Sequence, residues 1–152
     1  MEAAPKDWPR ISSALFYEDA ATAIDWLCRT FGFEVRLKVE GEGGRIEHSE
    51  LVFGEGLIMV GTAGRADRSD SAFCASPRAL GGANTQSLCV YVDDVDAHCD
   101  RARAAGATIV RAAQTDDYGE EYGAHRSYQA EDLEGHRWWF MQRLREPKTH
   151  AN

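Results

Sequence analysis

No run of apolar residues in this 152-residue chain is long enough to cross a bilayer, which excludes a helical membrane span. The opening residues, MEAAPKDWPR, have neither a cationic start nor the hydrophobic stretch of an export signal, so a cytoplasmic location is expected. Cysteine is scarce. Cys28, Cys74, Cys89 and Cys99 show no CxxC spacing and fall mostly within apolar helix or strand patterns. They read as reduced, small core residues, because a zinc site needs closely spaced ligand pairs and a disulfide framework suits a smaller secreted chain. Positive charge is short as well: 17 Lys and Arg stand against 25 Asp and Glu, a net charge of −8. That balance disfavours nucleic acid, whose phosphates an acidic surface repels; it either favours a cationic ligand mildly or simply keeps the protein soluble.

What the chain does contain is a repeat. LFYEDAATAIDWLCRTFGFE, from Leu15, returns as CVYVDDVDAHCDRARAAGAT, from Cys89, with Tyr17, Asp19 and Gly32 recurring 74 positions on as Tyr91, Asp93 and Gly106. Each copy reads as an apolar strand, an acidic helix cap, a helix and a terminating glycine, so the chain consists of two versions of one supersecondary unit. At 43% hydrophobic composition it can bury a proper core, as one compact unit or as two fused modules. Function is expected between the halves.

In the first helix Ile24, Leu27, Cys28 and Phe31 form the buried stripe, with Asp19 as N-cap and Gly32 at the exit; in the second, Val95, Cys99, Ala102 and Gly106 do the same. Trp26 lies off its stripe and packs on another element or contacts a second subunit. Strands are expected over 34–40, 45–53 and 57–61 after the first helix, and over 87–92, 108–112, 125–131 and 136–142 in the second half. The fold class is α+β: two βαβββ modules, about 10–61 and 86–142, form a curved mixed sheet around a cup with the helices on the outer face. Residues 62–85 are an irregular connector. The stretch 113–124, with DDYGEEYG, is a loop that either lids the sheet or is merely solvated.

Alternation assigns Leu15, Tyr17, Leu51, Phe53, Ile58, Val60, Leu88, Val90, Val92, Trp138 and Phe140 to the face under the helices. The opposite parity lines the cup. It brings Ser12, Ala14, Phe16, His48, Glu50, Leu57 and Met59 from the first module, and Ser87, Cys89, Tyr91, Ser127, Gln129, Arg137, Trp139 and Met141 from the second. This mixed aromatic and polar wall suits a small molecule.

The duplicated module, with AIDWLCRTFGFE, RIEHSELVFGEGLIMVG, VYVDDVDAHCDRARAAGATIV and EDLEGHRWWF, resembles the vicinal oxygen chelate superfamily of glyoxalase I, bleomycin-resistance proteins and extradiol dioxygenases, most closely the glyoxalase and bleomycin-resistance branch. The resemblance covers nearly the whole chain and implies a metal ligand from the first and the last strand of each module. It also implies a homodimer in which modules pair within or across subunits. The corresponding positions are Ser12, Ser87, Met59 and Trp139, whose hydroxyls, thioether and indole give a divalent metal almost no affinity. A slip of one residue admits Gln86 but otherwise only Ser13, Val60, Trp138 or Phe140, and Glu50 and His48 with Gln86 lie away from the family's positions. Neither metal nor cofactor is expected.

Without a metal, Trp139, Tyr91 and Phe16 either stack a flat ligand or fill the cup themselves. Glu50 and His48, two apart on a strand, can bind a ligand amine or act as base and acid, or they sit in solvent at a sheet margin. Arg137 either forks onto a ligand carboxylate or pairs with Glu50. Met59, Ser87 and Gln129 complete the expected ligand-binding set. The leading expectation is a metal-free protein that sequesters an aromatic or cationic antibiotic or metabolite. Its alternatives are a glyoxalase-like lyase, isomerase or dioxygenase using a noncanonical metal or the Glu50 and His48 pair, and a module whose cup is empty.

Overall fold

The computed structural model describes residues 1–64 and 73–148. The chain divides into two compact units, residues 1–83 and 84–152. The first runs β1 (Ser13–Tyr17), α1 (Ala20–Phe31), β2 (Glu34–Glu40), β3 (Ile46–Phe53) and β4 (Gly56–Thr62). Its four strands form one mixed sheet in the order β1-β4-β3-β2, with β1 parallel to β4 and the other pairs antiparallel. The second repeats the pattern with β5 (Leu88–Tyr91), α2 (Val95–Ala104), β6 (Thr108–Asp117), β7 (Ala124–Glu131) and β8 (Arg137–Arg145), in the order β5-β8-β7-β6. The α+β class and the two βαβββ modules are therefore as the sequence implies, each module having its own four-stranded sheet. Among the described residues no helix is long and apolar enough to cross a membrane.

Each helix starts where an aspartate satisfies its free amides. The Thr22 N–H donates to Asp19 at 3.1 Å, and the Ala97 N–H donates to Asp94 at 3.0 Å. Gly32 closes α1 in the left-handed conformation, φ 88°, which a side chain would oppose. Helix α1 buries Ile24, Leu27 and Phe31 over Leu15, Tyr17, Leu51, Ile58 and Val60 of the sheet. Burial of each such side chain contributes roughly 1.5 to 3 kcal/mol. Trp26 is buried with its ring edge-on to Phe31, centroids 5.0 Å apart.

The cap residues correct the repeat. Asp94, not Asp93, is the counterpart of Asp19, so the offset is 75 from the first strand to the helix cap; α2 is shorter than α1, and from Gly32 and Gly106 into β2 and β6 the offset is 74. One residue on a strand reverses the face a side chain presents. Tyr17 is accordingly buried under its helix at 0% exposure while Tyr91 is 53% exposed on the opposite face. Val90 and Phe16 are the residues that the 75-residue offset matches to Leu15 and Tyr91.

Several boundaries also move. Strand β6 continues to Asp117, leaving 118–123 as the loop in place of 113–124, and β8 continues to Arg145. Both extensions are polar, and cross-strand pairing with β7 rather than apolar alternation holds them. Gly106 lies beyond α2, whose last carbonyls are met as Arg101 accepts from the Ala105 N–H at 3.0 Å and Arg103 from the Gly106 N–H at 3.1 Å. Of the expected connector 62–85, Thr62 belongs to β4 and Pro77–Leu80 forms a short 3-10 turn capped by Ser76; residues 65–72 lie outside the described residues. Among the described residues no cysteine forms a disulfide, but only Cys99 is fully buried and Cys89 is exposed.

The core of the second unit is aromatic. Trp138 and Phe140 stack at 6.3 Å, Tyr128 stacks on Phe140 at 5.1 Å, and His98 lies over Phe140 at 4.3 Å with its Nδ1 2.7 Å from the Tyr128 hydroxyl. Burial pushes the Tyr128 phenol up, so it stays protonated. Asp132 anchors this core: it accepts the Trp138 indole N–H at 3.0 Å and the amides of Glu134 and His136 at 3.1 and 3.0 Å. Since Trp138 is pinned inward, its neighbour Trp139 must point to the face away from α2.

Candidate functional site

On the sheet of the first unit, the face turned from α1 carries Phe16, His48, Glu50 and Met59. Cross-strand register puts Ala14, Met59 and Glu50 side by side in one row. Ser12 precedes β1, half-buried, and its hydroxyl oxygen is buried without a hydrogen-bond partner among the described residues. Glu50 is the most enclosed of the set, at 8% exposure. His48 Nε2 lies 3.2 Å from one carboxylate oxygen, and Arg36 grips the other through Nε at 2.8 Å and Nη2 at 2.7 Å. The hydrogen bond to His48 and then those to Arg36 hold the Glu50 carboxyl below its usual range. Glu50 is thus a poor base, and its cation is Arg36 and not Arg137.

Arg36 also donates to the Asp7 carbonyl at 2.5 Å and lies 5.0 Å over the Trp8 ring. This fastens the N-terminal segment to the edge of the sheet. Beside it is a cleft of about 610 Å³ lined by Trp8, Pro9, Arg36, Val52, Glu55 and Leu57. Of the residues that alternation assigns to the cup in the first unit, Leu57 lines it and Phe16, His48, Glu50 and Met59 do not.

In the second unit the face turned from α2 carries Tyr91, Gln129, Arg137 and Trp139. Cys89, Trp139 and Gln129 form one row; Tyr91, Met141 and Ser127 form the next. Ser87 is exposed and precedes β5. Arg137 is paired with Glu131, its cross-strand neighbour, at 2.9 Å. The Tyr91 hydroxyl accepts from Arg143 at 3.2 Å, with the guanidinium 5.6 Å over the ring. Trp139 is half-buried, and the guanidinium of Arg111 lies 5.2 Å over its ring. Arg111 donates through Nη2 to Ser127 Oγ at 2.6 Å.

The donor set does not fit a divalent metal. The residues directly facing Met59 and Trp139 are Ala14 and Cys89. Burial raises the Cys89 thiol and so works against the thiolate, and its sulfur is already 2.9 Å from that of Met141. Both Glu50 oxygens are engaged, one by a guanidinium that repels a second cation. Among the described residues no group of three or more His, Cys, Asp or Glu side chains is placed to hold a metal ion.

Arg36, Arg111 and Trp8 were not singled out from sequence. Both arginines sit at a register shift of the edge strand of their sheet, one residue apart when the two modules are matched.

Residues 10–140 match the Glyoxalase/Bleomycin resistance protein/Dioxygenase superfamily. An uncharacterized protein of Mycobacterium bovis is 31% identical over 138 residues, covering 91% of this chain and 86% of its own length. Among solved structures, TioX from Micromonospora sp. ML1 is 36% identical with a TM-score of 0.69, over 90% of this chain and 100% of that one. Lactoylglutathione lyase from Agrobacterium tumefaciens shares the fold at 19% identity and a TM-score of 0.61, over 91% of this chain and 95% of its own. The chain belongs to the Glyoxalase/Bleomycin resistance protein/Dioxygenase superfamily.

Proposed function

We propose that this protein binds an aromatic small molecule without a metal, on the face of the β5-β8-β7-β6 sheet turned from α2, with Trp139 as the stacking platform. The observation that carries this is Trp139 itself. At a position where the family resemblance implies a chelating side chain stands an indole, half-buried, on a face with Tyr91, Gln129 and Met141. A ring so placed offers a flat apolar surface with polar groups beside it, which suits a conjugated ligand. Catalysis by Glu50 and His48 is disfavoured, since Arg36 stabilises the Glu50 anion and lowers its basicity. The same proposal includes a cytoplasmic location and a homodimer. Val35, Leu37 and Val39, exposed on edge strand β2, support an intersubunit contact.

Equilibrium titration with a naphthalene-based probe tests the platform. Trp139→Ala is expected to weaken binding by about 1 to 3 kcal/mol, with no turnover of the probe. Unchanged affinity, or stoichiometric nickel, zinc, manganese or iron in protein purified without chelators, would overturn the proposal.

A further inference from the structure

The two units form an internal comparison, and they differ at one ion pair. Arg36 lies in the register shift of β2 beside Leu37, the cross-strand neighbour of Glu50, and Arg111 is the cross-strand neighbour of Gln129; each lies over an indole, Trp8 or Trp139. Glu50 faces Met59 and Gln129 faces Trp139 across the same antiparallel pair of strands, β3 with β4 and β7 with β8. In the first unit all three guanidinium nitrogens of Arg36 have acceptors: Glu50 takes Nε and Nη2, and the Asp7 carbonyl takes Nη1. In the second, a neutral carboxamide stands where the carboxylate would be. Arg111 keeps only Ser127 as a hydrogen-bond acceptor. Its Nε and Nη1 atoms are buried without a hydrogen-bond partner among the described residues; Asp116 stands 4.0 Å from Nη1, an ion pair at the limit of contact and beyond hydrogen-bond reach.

Buried donors of a charged group are costly to leave unmade, and a guanidinium presents them as a fork that matches a carboxylate. Resting on the platform proposed above, we infer that Arg111 is the anion-receiving group of the Trp139 site and that the ligand is a planar aromatic molecule carrying a carboxylate or similarly charged oxygen. Glu50 shows within the same chain what completes such an arginine. A cationic ligand is the wrong class despite the acidity of the chain: the indole already has one cation over it, and a second would face that guanidinium across a few ångströms. The Arg111 side chain is 24% exposed and so borders solvent, and a ligand reaches Nε and Nη1 once the groups that cover them move aside.

Calorimetric titration of the full chain with 2-naphthoate and with 2-naphthylmethylammonium, probes of like shape and opposite charge, tests this. The wild type is expected to bind naphthoate at least about tenfold more tightly, a difference of about 1.4 kcal/mol. Gln129→Glu, which supplies the carboxylate from within, is expected to weaken naphthoate about tenfold or more and to leave the ammonium probe unchanged or tighter. Ammonium binding as tight as naphthoate in the wild type, which needs no variant, or naphthoate affinity untouched by Gln129→Glu in folded protein, overturns the charge assignment while leaving stacking on Trp139 intact. Failure of the wild type to bind either probe, or affinities unmoved by Trp139→Ala, overturns the platform and this inference together.

Discussion

Replacing Asp132 should show how strongly the outward position of Trp139 is enforced. Asp132 accepts three N–H groups in a site that is almost closed to water, two from its own turn and one from the Trp138 indole. A hydrogen bond to a charged acceptor is worth about 1.5 to 3 kcal/mol, and a buried donor left behind costs about 1 to 3 kcal/mol. Asp132→Asn keeps the oxygen that serves the turn and sets an NH₂ against the indole N–H, so a loss of about 2 kcal/mol is expected. Asp132→Ala removes all three acceptors, and about 3 to 4 kcal/mol should go. The control is Trp138→Phe, which deletes the indole donor and keeps most of the apolar volume. In that background Asp132→Asn should cost at least about 1 kcal/mol less, the coupling energy of a double-mutant cycle. Urea unfolding followed by circular dichroism reads all four proteins. Equal losses for Asn and Ala, or a cycle with no coupling, would refute the assignment of Asp132 as the lock on the register of β8.

Two further outcomes follow from groups already described. Glu50→Gln should be destabilising at neutral pH; because the folded-state carboxyl is held below its unfolded value, that stabilisation is present above the unfolded value and fades as pH falls through the folded one, so the two unfolding curves should converge in acid. Persistence of the full difference in acid would show that the His48 and Arg36 contacts are not its origin. Asp19→Ala should cost about 1 kcal/mol through the unmet Thr22 amide, measured by thermal unfolding, and Asp19→Ser should recover most of it.

The fold was readable because its signals are local and redundant. Helix caps, a glycine exit and period-two strands each specify α1 and its sheet, and they agree with one another. An offset of 74 holds at the helix exits but not on the first strands, where Tyr17 and Tyr91 look alike as letters although one fills a core and the other faces outward. Cross-strand register matches Leu37, and not Arg36, to Arg111, so the repeat alone does not reveal the kinship of the two arginines. Strand alternation could not recover it. Register shifts interrupt β2 between Val35 and Leu37 and β6 on both sides of Arg111, and such irregularities re-aim a side chain that simple parity would send elsewhere. A charged residue on a polar strand reads the same in sequence whether it is solvated or gripped, so Arg36 beside Glu50 became visible only once β2 and β3 were paired.

The closed Arg36–Glu50 brace satisfies its arginine from within, whereas the other copy, with glutamine in place of the acid, does not. Duplication thus allowed a division of labour: one copy can serve as fixed scaffolding while its sibling drifts in what it prefers to hold. A single-nucleotide change separates glutamine from glutamate codons, so the switch between an arginine answered from within and one awaiting an outside molecule lies one step away for selection.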